Sequence, residues 1–175
     1  RNAVQQHTLA LEKGGYIEIG ELTATGGRPG RIYVLSKKGI DLFPKQYSWF
    51  SELLLHSLKS QLGSNGLETK MREIGNNLAQ SLKPKLRGLS LPEKINAVSQ
   101  IMQDLGFETE VKEENGEKHP FINAHNCIYH NLAKEFEEVC QLDRSLLESL
   151  LDSEINHEEC IVRGGEVCKF KIKEQ

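Results

Sequence analysis

The sequence predicts an α+β protein in three parts: residues 1–62, a partial winged helix-turn-helix with a dimerisation helix; 63–106, a helical connector; and 107–175, an α+β sensor domain with antiparallel strands and all the cysteines. Three observations predict it. A short helix, a Gly/Pro-rich hairpin and flanking arginines share the first 35 residues, apolar residues then recur at helical spacing to Leu105, and from Phe107 the pattern alternates as strands do.

The first helix is polar. Val4, His7 and Leu11 fall on one face, while Asn2, Gln5, Gln6 and Lys13 point elsewhere. Asn and Gln can pair bidentately with adenine edges in a major groove, and Arg1 can do the same to guanine. Gly14-Gly15 should end the helix, since glycine tolerates the left-handed turn required there. Tyr16, Ile17 and Ile19 start a strand whose partner is Arg31–Leu35, and Thr25-Gly26-Gly27-Arg28-Pro29-Gly30-Arg31 between them is too rich in Gly and Pro to be core. In a winged helix this helix enters the major groove, and Arg28 and Arg31 on the wing reach phosphates or a minor groove. An amphipathic helix followed by a hairpin is also common in proteins that bind no DNA.

Ser36 is placed to cap a helix over Lys37–Leu42, and Phe43-Pro44 interrupts the backbone. From Lys45 to Leu62 a stripe of Tyr47, Phe50, Leu54, Leu58 and Leu62 is widened by Leu53 and Leu55. It either pairs with its twin in a homodimer that reads a palindrome, or packs on the chain's own C-terminal domain. Gly63-Ser64-Asn65-Gly66 reads as a flexible boundary. A helix over Leu67–Leu82 then carries Met71, Ile74, Leu78 and Leu82, and one over Ser90–Leu105 carries Ile95, Val98, Ile101, Met102 and Leu105.

In the last part Phe107–Lys112 and Lys118–Asn126 should form a hairpin around Asn115-Gly116. Leu132, Ala133, Phe136 and Val139 predict a helix over Ile128–Cys140, and Asp143 is expected to cap the next one. Strands over Ile155–Val162 and Glu166–Lys173 follow, the second with Cys168, Phe170 and Ile172 facing inward.

The net charge of −3 excludes a general polyanion binder, but its distribution is uneven: residues 1–45 carry +3 and the remainder −6. No apolar run approaches the roughly 20 residues of a membrane span, and the polar start is unlike a signal peptide, so a cytoplasmic location without membrane partners is expected. There is no phosphate-cradling loop, because Gly26–Gly30 lacks the Lys-Ser/Thr ending, and no nucleophile motif, so an enzyme is not expected.

Cys127, Cys140, Cys160 and Cys168 show no Cys-x-x-Cys spacing. Buried inert thiols are the plain reading, and a mixed site with His119, His125 and His130 the sharper one, although that spacing matches no familiar zinc pattern. Cys160 neighbours Cys168 across the strands only if the loop at Gly164-Gly165 has an odd length.

The run Ala3-Val4-Gln5-Gln6-His7, Gly15-Tyr16-Ile17, Gly27-Arg28-Pro29-Gly30-Arg31, Tyr33, Leu35-Ser36, Gly39 and Leu42-Phe43-Pro44 with Tyr47 resembles the ArsR-like winged-helix regulators, and within them the iron–sulfur-biogenesis repressors (SufR-like). The resemblance covers residues 1 to about 60 and returns at the C-terminus. It implies a repressor of cluster-assembly genes, two further helices upstream of Arg1, and an iron–sulfur cluster. Asn126-Cys127, twelve residues to Cys140 and twenty-seven more to Cys168 resemble that family's ligand pattern. Cys160, His157 or a carboxylate is left as the fourth ligand. Against this, an unbroken helix over Ile128–Cys140 would hold Cys127 about 20 Å from Cys140, too far for one cluster. A winged-helix regulator with a small-molecule pocket and structural cysteines, and an interaction module without DNA binding, are the alternatives.

Overall fold

The computed structural model describes residues 2–20, 31–112 and 120–173. The chain parts into two compact units, Arg1–Tyr47 and Ser48–Gln175. The parting falls ahead of the long third helix, whereas the Gly63–Gly66 stretch, read from the sequence as a boundary, lies inside that helix.

In the first unit, α1 (Asn2–Lys13) ends as its glycines require: Gly15 has φ +72°, and the Gly14 and Tyr16 N–H groups donate to the carbonyls of Ala10 and Leu11. β1 (Ile17–Ile19) and β2 (Tyr33–Leu35) pair antiparallel, with Ile17 opposite Leu35. The Ser36 hydroxyl accepts from Gly39 N–H at 3.0 Å, capping α2 (Lys37–Asp41), and donates to the Gly15 carbonyl at 2.6 Å. Gly39 is obligatory, since a Cβ there would sit 2.0 Å from the Tyr16 carbonyl oxygen. Among the described residues of this unit Gly39 alone is buried.

The second unit begins with α3 (Tyr47–Leu82, its first residue in the first unit), which kinks at Gly63 where φ is +68°. The Glu138 carboxylate clasps both sides of the kink, taking Lys59 at 2.7 Å and the Ser64 hydroxyl at 2.6 Å. Glycine thus serves as a bend rather than a linker. Beyond the kink the buried stripe is Leu67, Met71, Gly75 and Ala79, while Ile74 is exposed. Of the expected Met71–Ile74–Leu78–Leu82 face only Ile74 departs, since Met71 is buried and Leu78 and Leu82 pack half-buried on the main core; two small residues, Gly75 and Ala79, complete the stripe.

Gly75 lies against α6 (Cys140–Leu151). After a 3₁₀ turn at Lys83–Leu86, α4 (Leu91–Asp104) opens with Glu93 accepting from both the backbone and hydroxyl of Ser90. A four-stranded antiparallel sheet follows in the order β3 (Thr109–Lys112), β4 (Phe121–Ala124), β6 (Cys168–Lys173), β5 (Glu154–Glu159). The main core joins α4, α6 and the sheet through Val98, Met102, Ile122, Leu147, Ile155 and Ile172; a second cluster unites Leu55, Leu67, Met71, Phe136 and Val139. Cys168, Phe170 and Ile172 face inward as their alternation predicts. The Asn115-Gly116 turn lies outside the described residues, though the strands it joins do pair.

The expected helix over Ile128–Cys140 is two pieces. α5 covers only His130–Glu135, Phe136 breaks it at φ −127° and ψ 77°, and a 3₁₀ turn at Glu137–Val139 leads into α6. Asp143 consequently lies within α6 rather than capping it. No helix among the described residues is long and apolar enough to cross a membrane.

Candidate metal centre and nucleic-acid face

The break at Phe136 removes the obstacle that a continuous helix posed, because the chain doubles back between Cys127 and Cys140. Cys127 enters from a loop that Asn126 fastens: its side chain accepts from Glu108 N–H at 2.7 Å and donates to the Gly106 carbonyl at 2.9 Å. Cys140 opens α6, and Cys168 opens β6.

Cys160 and His157 reach the same place through a fault in β5. His157 stands opposite Phe170 and Glu159 opposite Lys169, so Glu158 is an extra residue, a β-bulge. In a regular strand two residues three apart face opposite ways. The bulge resets the alternation, and the register carried one step further sets Cys160 against Cys168. The turn between them is fixed by the Cys160 carbonyl, which accepts from Arg163 and Gly165, and by Glu159 Oε1, which accepts from Glu166 at 2.6 Å. The question left by the Gly164-Gly165 loop is answered: the sulfurs share a face.

The ligand atoms of His157, Cys160 and Cys168 all lie within 4.8 Å of one another, so this group could hold a metal ion. Both cysteines are buried. The His157 ring stacks on Phe170, with centroids 4.6 Å apart and planes 17° from parallel. Its Nε2 is buried without a hydrogen-bond partner. A buried histidine with an uncommitted ring nitrogen is open to a metal ion.

The electrostatics draw in the other two cysteines. Burial pushes the Cys140 and Cys168 thiols up to about 12, with further upward contributions from neighbouring cysteines in each case. Cys127 is raised by burial and then by Asp143 and Cys160, against a hydrogen bond from Tyr129. Burial alone pushes Asp143 up to about 7, and burial followed by Arg163 and Arg144 brings His157 down to about 4. At neutral pH the Cys140 and Cys168 thiols thus keep their protons and the His157 imidazole is neutral. A polar cleft of about 620 Å³ reaches this locus, with Cys140, His157, Arg144 and Arg163 in its wall.

The other expected ligands are elsewhere. His125 Nε2 meets Glu110 at 2.9 Å, His130 begins α5, and His119 lies outside the described residues. The signal that sequence reading lacked was the bulge, which nothing in His157-Glu158-Glu159-Cys160 announces.

Of the residues expected to contact DNA, Asn2, Gln5 and Gln6 are exposed on α1, as is Arg31 ahead of β2. Arg1 and Arg28 lie outside the described residues. Val4 is 72% exposed and Leu11 44%, so the apolar face of α1 is uncovered too.

A scan against protein-family models finds no match, and a search of curated proteins finds no significant relative.

Proposed function

We propose that the chain is a DNA-binding transcriptional regulator, a repressor, whose cysteine-bearing domain is its sensor. The observation that carries this reading is the close group of His157, Cys160 and Cys168, with Cys127 and Cys140 electrostatically coupled to its cysteines, in a protein whose other unit is a polar helix joined to a β-ribbon. Inert thiols have no need to congregate.

Asn2, Gln5 and Gln6 discriminate bases in the major groove, while Arg28 and Arg31 supply salt-dependent affinity for the backbone, with Arg1 available to guanine. Trp49, Phe50, Leu53 and Leu54 are about half exposed on α3. They pair with a second copy, giving two recognition helices for half-sites about 34 Å apart. This favours the twin over the chain's own domain as the partner of that stripe, since Leu55 and Leu58 alone of it join the second core.

Cys127, Cys140 and Cys168, with Cys160 as fourth donor, suit an iron–sulfur cluster, because thiolates are soft anionic ligands. When bound, such a cluster supplies redox-sensitive iron–sulfur chemistry and takes thiolate in place of thiol. The chain's own part is to bring the α5 approach, the head of α6 and β6 under one restraint, so that occupancy shifts the population of dimers able to span both half-sites.

The test is anaerobic purification with iron and sulfide analysis, followed by binding to promoter fragments over a range of salt. Binding that weakens steeply with salt and differs between loaded and stripped protein is expected. No salt-dependent binding in either form would overturn the DNA-binding reading.

A further inference from the structure

We propose that His157, Cys160 and Cys168 form a mononuclear site for a zinc-class divalent cation, an alternative to a cluster that shares Cys160 and Cys168 with it.

The spacing suits one ion. Tetrahedral bonds of about 2.3 Å to sulfur and 2.0–2.1 Å to nitrogen place donors about 3.6–3.8 Å apart. The three donor atoms lie within 4.8 Å of one another, so side-chain adjustments of about an ångström or less close the site. The histidine is already prepared. Its plane is set by stacking on Phe170, and its buried Nε2 has no hydrogen-bond partner. The bulge at Glu158 brings Cys160 onto the face that His157 and Cys168 share.

Charge also closes. Two thiols and one cation give a neutral bis-thiolate and two released protons, and Arg144 and Arg163 do not oppose a neutral product. Both are engaged: Arg144 with Glu148 at 2.9 Å, Arg163 with Glu137 at 3.9 Å. Three protein donors leave one tetrahedral position for water or a ligand arriving by the cleft, the pattern of an open zinc site. Because Cys160 and Cys168 belong to both ligand sets, zinc and a cluster exclude each other.

The experiment is a cobalt(II) titration of the metal-free chain under anaerobic conditions, with no DNA present, so that its failure leaves the DNA reading untouched. One equivalent should bind with thiolate-to-cobalt charge transfer and the intense visible bands of tetrahedral cobalt, and zinc should displace it. Cys160→Ser and Cys168→Ser should each lose about half the charge-transfer intensity. His157→Gln should keep that intensity and weaken binding by more than about tenfold, since even the outer partners of a ligand are worth that much. Cys127→Ser should bind as the parent does. A Cys127→Ser loss equal to that of Cys160→Ser, or no thiolate charge transfer in the parent, would overturn the site. Should a serine variant unfold, the parent still decides: zinc should shield two of its four thiols from a disulfide reagent, and shielding none refutes the assignment.

Discussion

Asp143 lies in α6 beside the cysteine locus, and burial is the one cause of its raised pKa, which stands at about 7 against an ordinary 3.8. Below pH 4 both the folded and the unfolded chain hold the proton, and the group is neutral in its effect. Between pH 4 and 7 the unfolded chain releases it while the folded chain retains it, so stability falls as pH rises. At about 1.4 kcal/mol per pH unit over roughly three units, the full cost above pH 7 is about 4 kcal/mol. Asn keeps the shape without the charge, so Asp143→Asn should be more stable than the parent by up to about 4 kcal/mol at pH 8 and equal to it near pH 4. His157 works in the opposite sense. Its depressed pKa makes stability fall as pH drops from 6.5 towards 4, so the readout must be the difference between variant and parent. Urea unfolding of the metal-free protein at several pH values supplies it. Parallel curves from pH 4 to 8 would refute the claim that Asp143 is ionised at a cost.

Gly75→Ala should destabilise by about 1–3 kcal/mol despite a helix-propensity gain of about 1, because the added Cβ would lie 2.1 Å from Ser145 Oγ and 2.4 Å from the Leu142 carbonyl oxygen. Thermal melting checks this, and an unchanged midpoint would mean that α3 and α6 are not so closely packed. Arg28→Ala should lower affinity for all DNA sequences together and flatten the salt dependence by about one ion. Fluorescence anisotropy on matched and scrambled fragments decides, and a change confined to sequence preference would remove Arg28 from the wing. Phe50→Ser, on the exposed α3 face, should shift sedimentation towards monomer without lowering thermal stability of the α+β unit, and an unaltered dimer would place the interface elsewhere.

Much of the framework was legible because one-sided burial writes itself into spacing. β6 could be read residue by residue, since Cys168, Phe170 and Ile172 are buried and the lysines between them are less so. Ser36 and the Gly14-Gly15 stop were legible for a different reason, being local hydrogen-bond chemistry that needs no tertiary context. What failed was tertiary. Phe136 and Val139 continue a helical spacing, yet both serve the second core, and seating Phe136 there breaks the helix. Gly63 reads as a linker in sequence, whereas here a positive φ bends one helix. At the candidate site the four cysteines were visible, but the grouping of Cys160 with His157 and Cys168 could be placed only once the register of β5 against β6 was in hand.

The fault in β5 also leaves a mark that other chains can be judged by. A histidine and a cysteine separated by one or three residues share a side of an ordinary strand; separated by two, as here by Glu158 and Glu159, they do so only where the strand carries a supernumerary residue. Shortening or lengthening this stretch by a single position therefore changes the ligand set without touching a ligand. An alignment that slides a gap through 157–160 would look trivial on paper and would describe a chain that no longer turns His157, Cys160 and Cys168 to one side.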